Sequence, residues 1–263
     1  MKDPQTTPVT LFFATLFLAC SGSEDAIATD PSASLNGDGL RNVGMFNVPA
    51  IGWTASGVYV GPNLVVTNAH VVRNGAEVVR PPLVLPPFRL SGTGESKDVA
   101  SSLVIDETMD LAAVALTGSP WPTRDVPCIT HRALRKGEPV SITSHPAGAY
   151  PAVVANGIVT EPEARLTRDP DPQVPDELRA EVYSIVVHLD SEQSERVKRG
   201  SSGGAVVDAH GQLVGLVWSG EVLSGGSTVL VAPASVWLER LTNAIAAGQV
   251  EGVAELVQCS VTN

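Results

Sequence analysis

The chain has 263 residues, 43% of them hydrophobic and 17% charged, with 24 Gly, 20 Pro and a formal net charge of −11. An acidic surface repels phosphate backbones, and no basic stripe with interleaved aromatics appears, so nucleic acid is excluded as a partner and the charge reads as a solubility feature. Short β-type runs separated by Gly- and Pro-containing turns suit an all-β barrel protein rather than a helical one.

Near the N-terminus, Val9 to Ala19 is apolar, uncharged and too short to cross a bilayer as a helix, the pattern of an export segment. It ends at Ala19-Cys20 before Ser21-Gly22-Ser23, which resembles a bacterial lipoprotein cleavage site with Cys20 as the lipid-bearing residue. Phe17 stands where such sites usually carry Leu, and Lys2 is offset by Asp3, so a plain signal peptide or a start codon placed too early are the alternatives. A lipid on Cys20 would anchor the chain without making it span the membrane. Ser21 to Gly39, rich in Ser, Asp and Gly, reads as a disordered tether.

Next, Ala55 to Val66 reads as strand, tight turn, strand, and delivers Thr67-Asn68-Ala69-His70 at a strand end. The stretch Leu103 to Leu116 offers two carboxylates, Asp106 and Asp110. Asp110 is preferred because it directly precedes the strand Leu111 to Leu116, while Asp106 and Glu107 read as exposed turn residues. Pro120 to Pro127 is a proline-rich connector. His145 falls in a turn, His188 in the β-type run Val182 to Leu189 with a packing or surface role, and His131 and His210 in loops. Glu161 to Arg179, with several prolines and charges, reads as a long exposed loop.

Gly200-Ser201-Ser202-Gly203-Gly204 could be a flexible linker on its own. It is followed, however, by Ala205 to Val217, two β-type apolar runs around a polar, glycine-containing turn, which is a hairpin pattern. Ser235 to Ala247 carries Leu238, Leu241 and Ile245 at helical spacing, with Ser235 as a cap and Gly248 as a stop.

Acyl transfer to serine needs a base for the hydroxyl proton, a carboxylate to fix the base's tautomer, and backbone donors for the oxyanion. His70, Asp110 and the glycine–serine loop can supply these parts, in the order His, Asp, Ser. From about Ile51 to about Leu241 the chain resembles the chymotrypsin-like, trypsin-fold serine proteases, and among them the bacterial extracytoplasmic Deg-type branch.

The resemblance implies two six-stranded antiparallel β-barrels with a C-terminal helix. It implies Ser202, not Ser201, as nucleophile, His70 as base and Asp110 as its orienting carboxylate, and the amides of Gly200 and Ser202 as oxyanion donors. It also implies that Trp218, Ser219 and Gly220 pair with the substrate strand and that Ser191 to Arg199 forms a wall of the pocket for the residue before the scissile bond. Inward-pointing Arg196, Lys198 or Arg199 would favour acidic side chains; outward-pointing, they are solvated.

Two departures are visible. Ser201 stands where the family usually has Asp or Asn, which argues against activation by an inserted N-terminal ammonium, and Ser144 replaces the first Gly of a Gly-x-Pro-x-Gly turn. With Cys20 set aside, Cys128 and Cys259 are an even pair in an oxidising compartment, and some family members bridge these regions, so a disulfide is expected. No metal or organic cofactor is required.

The layout that results is an export segment at 1–19, a tether at 20–39, a first barrel at 40–121, a connector at 122–136, a second barrel at 137–234, a helix at 235–248 and a tail at 249–263. The expected activity is a serine endopeptidase acting through an acyl-enzyme on protein or peptide substrates. The competing reading is a lapsed or latent protease fold used as a binding module on the cell surface, and an esterase on the same scaffold would share the chemistry.

Overall fold

The structure, a computed structural model, describes residues 40–78, 85–122, 126–167, 181–223, 226–250, 256 and 259. The export segment, Cys20 and the tether lie outside these residues.

The N-terminal half contains β1 (Val43–Val48), β2 (Trp53–Gly61), β3 (Leu64–Asn68), β4 (Phe88–Leu90), β5 (Ser96–Lys97), β6 (Val99–Asp106) and β7 (Leu111–Leu116), with α1 (Ala69–Val78) after β3. The C-terminal half contains β8 (Pro139–Ser144), β9 (Val153–Thr167), β10 (Glu181–Leu189), β11 (Ala205–Asp208), β12 (Leu213–Leu223) and β13 (Gly226–Pro233). Two helices complete it, α2 (Ser191–Ser194) and α3 (Ala234–Ala246).

The second half is a closed barrel in the order β10-β13-β12-β11-β8-β9. The first is a seven-stranded sheet, β5-β4-β1-β2-β3-β7-β6, in place of the six strands expected, and among the described residues its two edges do not pair. The architecture is the chymotrypsin-like double barrel.

Strand composition explains the barrels. In β8, Val140 and Ile142 enter the core while Ser141 and Thr143 take the opposite face, and β10 sends Ile185, Val187 and Leu189 into the same core. Side chains alternate along a strand, so each β-branched residue at period two covers one face. β2 differs, because all nine of its residues are buried. It lies in the middle of the first sheet, between β1 and β3.

Three apolar clusters result. Phe46, Tyr59, Val65, Phe88 and Trp121 fill the first half, and Ile142, Val187, Leu189 and Val231 fill the second. A third cluster runs between the halves, joining Val66 and Leu111 to Leu213 and Leu216 and to Trp237, Leu238 and Leu241 of α3. Each of these helix side chains is fully buried and contributes about 1.5–3 kcal/mol. Arg240 of α3 also forms an ion pair with Asp106 at the end of β6.

Three sequence expectations are corrected in detail. Glu161 to Thr167 is not loop but the second half of β9, paired to β10 from Glu181; residues 168–180 lie outside the described residues. The last helix starts at Ala234 with Pro233 as its N-cap and no side-chain cap, so Ser235 lies inside it, and Gly248 at φ +67° closes it. The short α1 and α2 were not anticipated, since neither carries a long apolar period. Cys128 and Cys259 are joined by a disulfide, and the Cys259 N–H donates to the Ile129 carbonyl at 3.0 Å. Among the described residues no helix is long and apolar enough to cross a membrane.

Candidate active site

The antiparallel register of β3 and β7 places Asn68 opposite Leu111, so the residues just after β3 meet the residue just before β7. The Ala69 N–H donates to the Asp110 carbonyl at 2.9 Å. Asp110 takes φ +53°, a left-handed conformation that a short polar side chain tolerates better than a bulky one. This turns its carboxylate back onto His70, in the first turn of α1. Oδ1 accepts the His70 backbone N–H at 2.9 Å and Oδ2 lies 2.6 Å from Nδ1.

A carboxylate only accepts, so Nδ1 carries the proton and Nε2 keeps its lone pair. Asp110 is 2% exposed, whereas the His70 side chain is 31% exposed. The pair is therefore a fixed carboxylate behind an accessible base. Asp106, expected in an exposed turn, is buried instead: its Oδ1 accepts the N–H groups of Thr108 and Met109, closing the turn that leads to Asp110.

The glycine–serine loop lies between α2 and β11. Gly200 has φ +98° and Gly203 φ +81°, a region that favours glycine. Space demands it as well, since a Cβ on Gly203 would lie 2.2 Å from the Ser56 carbonyl oxygen and 2.3 Å from Thr67 Oγ1. Both contacts come from the other half of the molecule.

Ser56, fully buried in β2, is the main fastening. Its N–H donates to the Ser202 carbonyl at 2.8 Å, its Oγ donates to the Gly200 carbonyl at 2.8 Å, and that Oγ accepts the His145 N–H at 2.9 Å. The Ser56 carbonyl in turn accepts Thr67 Oγ1 at 2.8 Å, three residues before His70. The loop bearing Ser202 is thus tied to the strand that ends at the base.

Ala147 N–H donates to the Arg199 carbonyl at 2.7 Å. In a planar trans peptide the N–H points opposite to the carbonyl, so the Gly200 N–H faces away from Ala147. Among the described residues, neither it nor the Ser202 N–H has a protein acceptor. Two free backbone donors on one loop are the kind of group that can receive a developing oxyanion.

Ser202 is partly exposed, while Ser201 is 2% exposed. Ser201 Oγ accepts from Ser144 Oγ at 3.0 Å and from the Lys198 N–H at 3.2 Å. The two positions that depart from the family pattern therefore contact each other, through neutral hydroxyls.

A cavity of about 360 Å³ opens beside Ser202, lined among others by Val197, Val217, Ser219, Ser227 and Val229. β12 carries an irregularity at Trp218, whose Nε1 donates to Ser184 Oγ at 3.2 Å. β11 pairs with β12 only up to Leu216, and Gly203 and Gly204 continue to Val217. Beyond Val217 that edge has no strand partner among the described residues, and Ser219 and Gly220 are exposed. An extended peptide could add there.

Arg196 donates to the Val154 carbonyl at 3.1 Å, whereas Lys198 and Arg199 line the cavity, with the Lys198 ammonium 3.8 Å from Glu195. Arg199 is exposed.

His145, read as a turn residue, is fully buried and stacks on Tyr150 with centroids 6.1 Å apart. Its Nδ1 lies 2.7 Å from the Ala149 carbonyl and so carries the proton. Burial pushes its pKa below the ordinary value, partly opposed by that bond. Ser56 was not singled out in the sequence. The available signal was a small polar residue in the run Trp53 to Gly61, but half-exposed strands carry such residues as often.

A trypsin-like peptidase domain matches residues 55–216. The HtrA-like serine protease of Staphylococcus aureus (strain USA300) is 26% identical over 154 residues, covering 58% of this chain and 18% of that protein. This chain thus spans less than a fifth of that relative's length. In solved structures, the active form of the Rv3671c protease from M. tuberculosis aligns with a TM-score of 0.61 and 18% identity, over 95% of this chain and 97% of that one. A serine endoprotease from Yersinia pestis aligns at 0.54 and 18% identity, over 84% and 68% respectively, and at such identities the likeness speaks for the fold. Because the family model spans more than half of the chain, this protein belongs to the trypsin-like peptidase family.

Proposed function

We propose that the protein is a serine endopeptidase in which Ser202, His70 and Asp110 act as the triad. The observation that carries the reading is the bond between His70 Nδ1 and Asp110 Oδ2 at 2.6 Å, which leaves Nε2 as a base. It is supported by a glycine loop whose free amides and partly exposed serine are tied to the strand ending at that histidine.

In the mechanism, His70 Nε2 takes the Ser202 hydroxyl proton as Oγ attacks the peptide carbonyl carbon. The oxyanion is received by the Gly200 and Ser202 N–H groups. The imidazolium then gives its proton to the departing amine, leaving an ester on Ser202. Water, deprotonated by the same nitrogen, attacks the ester; the bond to Ser202 Oγ breaks, the imidazolium returns its proton to that oxygen, and the acid leaves. Asp110 stays ionised throughout and stabilises the imidazolium. Substrate is bound as a strand along Trp218, Ser219 and Gly220. Export, and a lipid on Cys20, remain readings of the sequence from Val9 to Ser23.

The test is a fluorophosphonate probe on purified protein, with the labelled peptide mapped by mass spectrometry and turnover assayed on a peptide library and on simple esters. Labelling at Ser202, lost in Ser202→Ala together with peptide cleavage, is the expected result. Folded protein that neither labels nor cleaves would replace the enzyme reading with that of a binding module, and turnover of esters alone would make it an esterase.

A further inference from the structure

On β13, Ser227, Val229 and Val231 occupy alternate positions and all are buried, with exposures of 3%, 1% and 0%. Period-two alternation sends them to the same inner face of the barrel. Val229 and Val231 pack in the core of the second half, while Ser227 and Val229 line the cavity beside Ser202, together with Val197. A serine thus stands in a row of valines, in the wall of the pocket beside Ser202.

The Ser227 Oγ is buried and has no hydrogen-bond partner among the described residues. A buried hydroxyl without a partner is unfavourable, and a valine at that place would avoid the loss. Ser184, also buried, shows the usual arrangement, since its Oγ accepts from Trp218 and donates to the Val231 carbonyl. The missing partner for Ser227 fits a group that arrives with the substrate and is met by rotation of the hydroxyl about χ1 from its buried position.

Charge narrows the class of that group. No Asp or Glu lines the cavity, so a lysine or arginine side chain would enter without a counter-ion. Of the cations, Arg196 is held by the Val154 carbonyl, while Lys198 and Arg199 line the cavity but are exposed to water, with the Lys198 ammonium 3.8 Å from Glu195. Their attraction for an acidic side chain is screened by water.

Resting on the peptidase reading above, we infer that Ser227 determines specificity: the pocket takes, before the scissile bond, a neutral side chain whose end can hydrogen-bond, such as Thr, Asn or Gln. Val197 and Val229 cover the aliphatic part of that side chain, and the Ser227 hydroxyl receives or donates the hydrogen bond. A site built around a buried polar group rejects the isosteric apolar analogue, because the analogue leaves the group unpaired.

The test compares kcat/KM for peptides identical except at the residue before the cleaved bond, in the pairs Thr against Val, Asn against Leu and Gln against Met, with Asp as a further member. In the wild-type protein the polar member of at least one pair is expected to win by about fivefold or more. Ser227→Ala should invert that pair, and Ser227→Thr, which restores a hydroxyl, should restore the order. Ser227→Val, closer to the row's other residues, serves if the alanine variant does not fold.

A wild-type order with the apolar member ahead in every pair, an Asp peptide ahead of all, or a ratio that Ser227→Ala leaves in place would overturn the assignment while leaving the peptidase reading intact. Absence of both cleavage and fluorophosphonate labelling would remove the peptidase reading, and the assignment with it.

Discussion

In the N-terminal half, His70 and Asp110 are held by their own ladder, β3 against β7, and by a turn closed on Asp106. In the C-terminal half, the loop of Ser202 is held chiefly from outside its barrel, by Ser56 and by the space against Thr67. His70 and Asp110, the proposed base and carboxylate, form a local device, whereas the loop of Ser202 is shaped where the two halves meet. Damage to the first should therefore strike chemistry alone, and damage to the second should also loosen the junction.

The largest expected effect lies in the local device. Asp110→Asn keeps the shape but leaves the wrong histidine tautomer, and kcat should fall about 10⁴-fold with the melting temperature little changed. Equal losses in kcat and in thermal stability would break the distinction between the halves.

Next in size is the disulfide, which touches neither device. Residues Cys128 and Cys259 are 131 apart in sequence, so opening the bridge with Cys128→Ser and Cys259→Ser should lower stability by up to about 4–5 kcal/mol in the loop-entropy view. Denaturant titration reads that loss, and kcat on a small peptide should be unaltered below the transition.

Ser56→Ala probes the junction. It strands the Gly200 carbonyl and the His145 N–H, each at about 1–3 kcal/mol, and lets the oxyanion loop move. A kcat lower by about 10–100-fold together with a reduced melting temperature is expected, and KM should change least. A stability loss with unaltered kcat would show that the loop does not depend on this fastening.

The smallest effect concerns pH. Burial lowers the pKa of His145 from 6.5, and Arg89, stacked 3.9 Å from the Tyr150 ring beside it, adds to that lowering. The unfolded chain therefore takes up this proton first, so the contribution is complete above about 6.5 and is lost as pH falls through that value toward the folded one. Melting temperature measured between pH 7 and pH 5 should fall less steeply in His145→Gln than in the wild type.

Much of the candidate site was legible because its parts are short and locally patterned. Thr67 to His70 ends a strand, Asp110 begins one, and Gly200 to Gly204 precedes a hairpin, so each motif announces its place through period-two apolar runs. The last helix was legible for the same reason, through Leu238 and Leu241. Of the loop expected at Glu161 to Arg179, the part from Glu161 to Thr167 is strand, because charged residues on the exposed face of a long β-ribbon look like loop in one dimension.

Local pattern along the chain specifies the set of parts, their order, and through these the double-barrel fold. How the parts are held depends on contacts that form only on folding. The pairing of Ser144 with Ser201, the bonds of Ser56 to Gly200, Ser202 and His145, and the unpartnered hydroxyl of Ser227 join or orient residues far apart in the chain, or set one hydroxyl apart from its neighbours. A serine in a strand looks the same whether its hydroxyl meets water, a carbonyl 144 residues away, or nothing. Hydrogen-bond satisfaction depends on which groups folding brings within about 3 Å, and no local pattern encodes that.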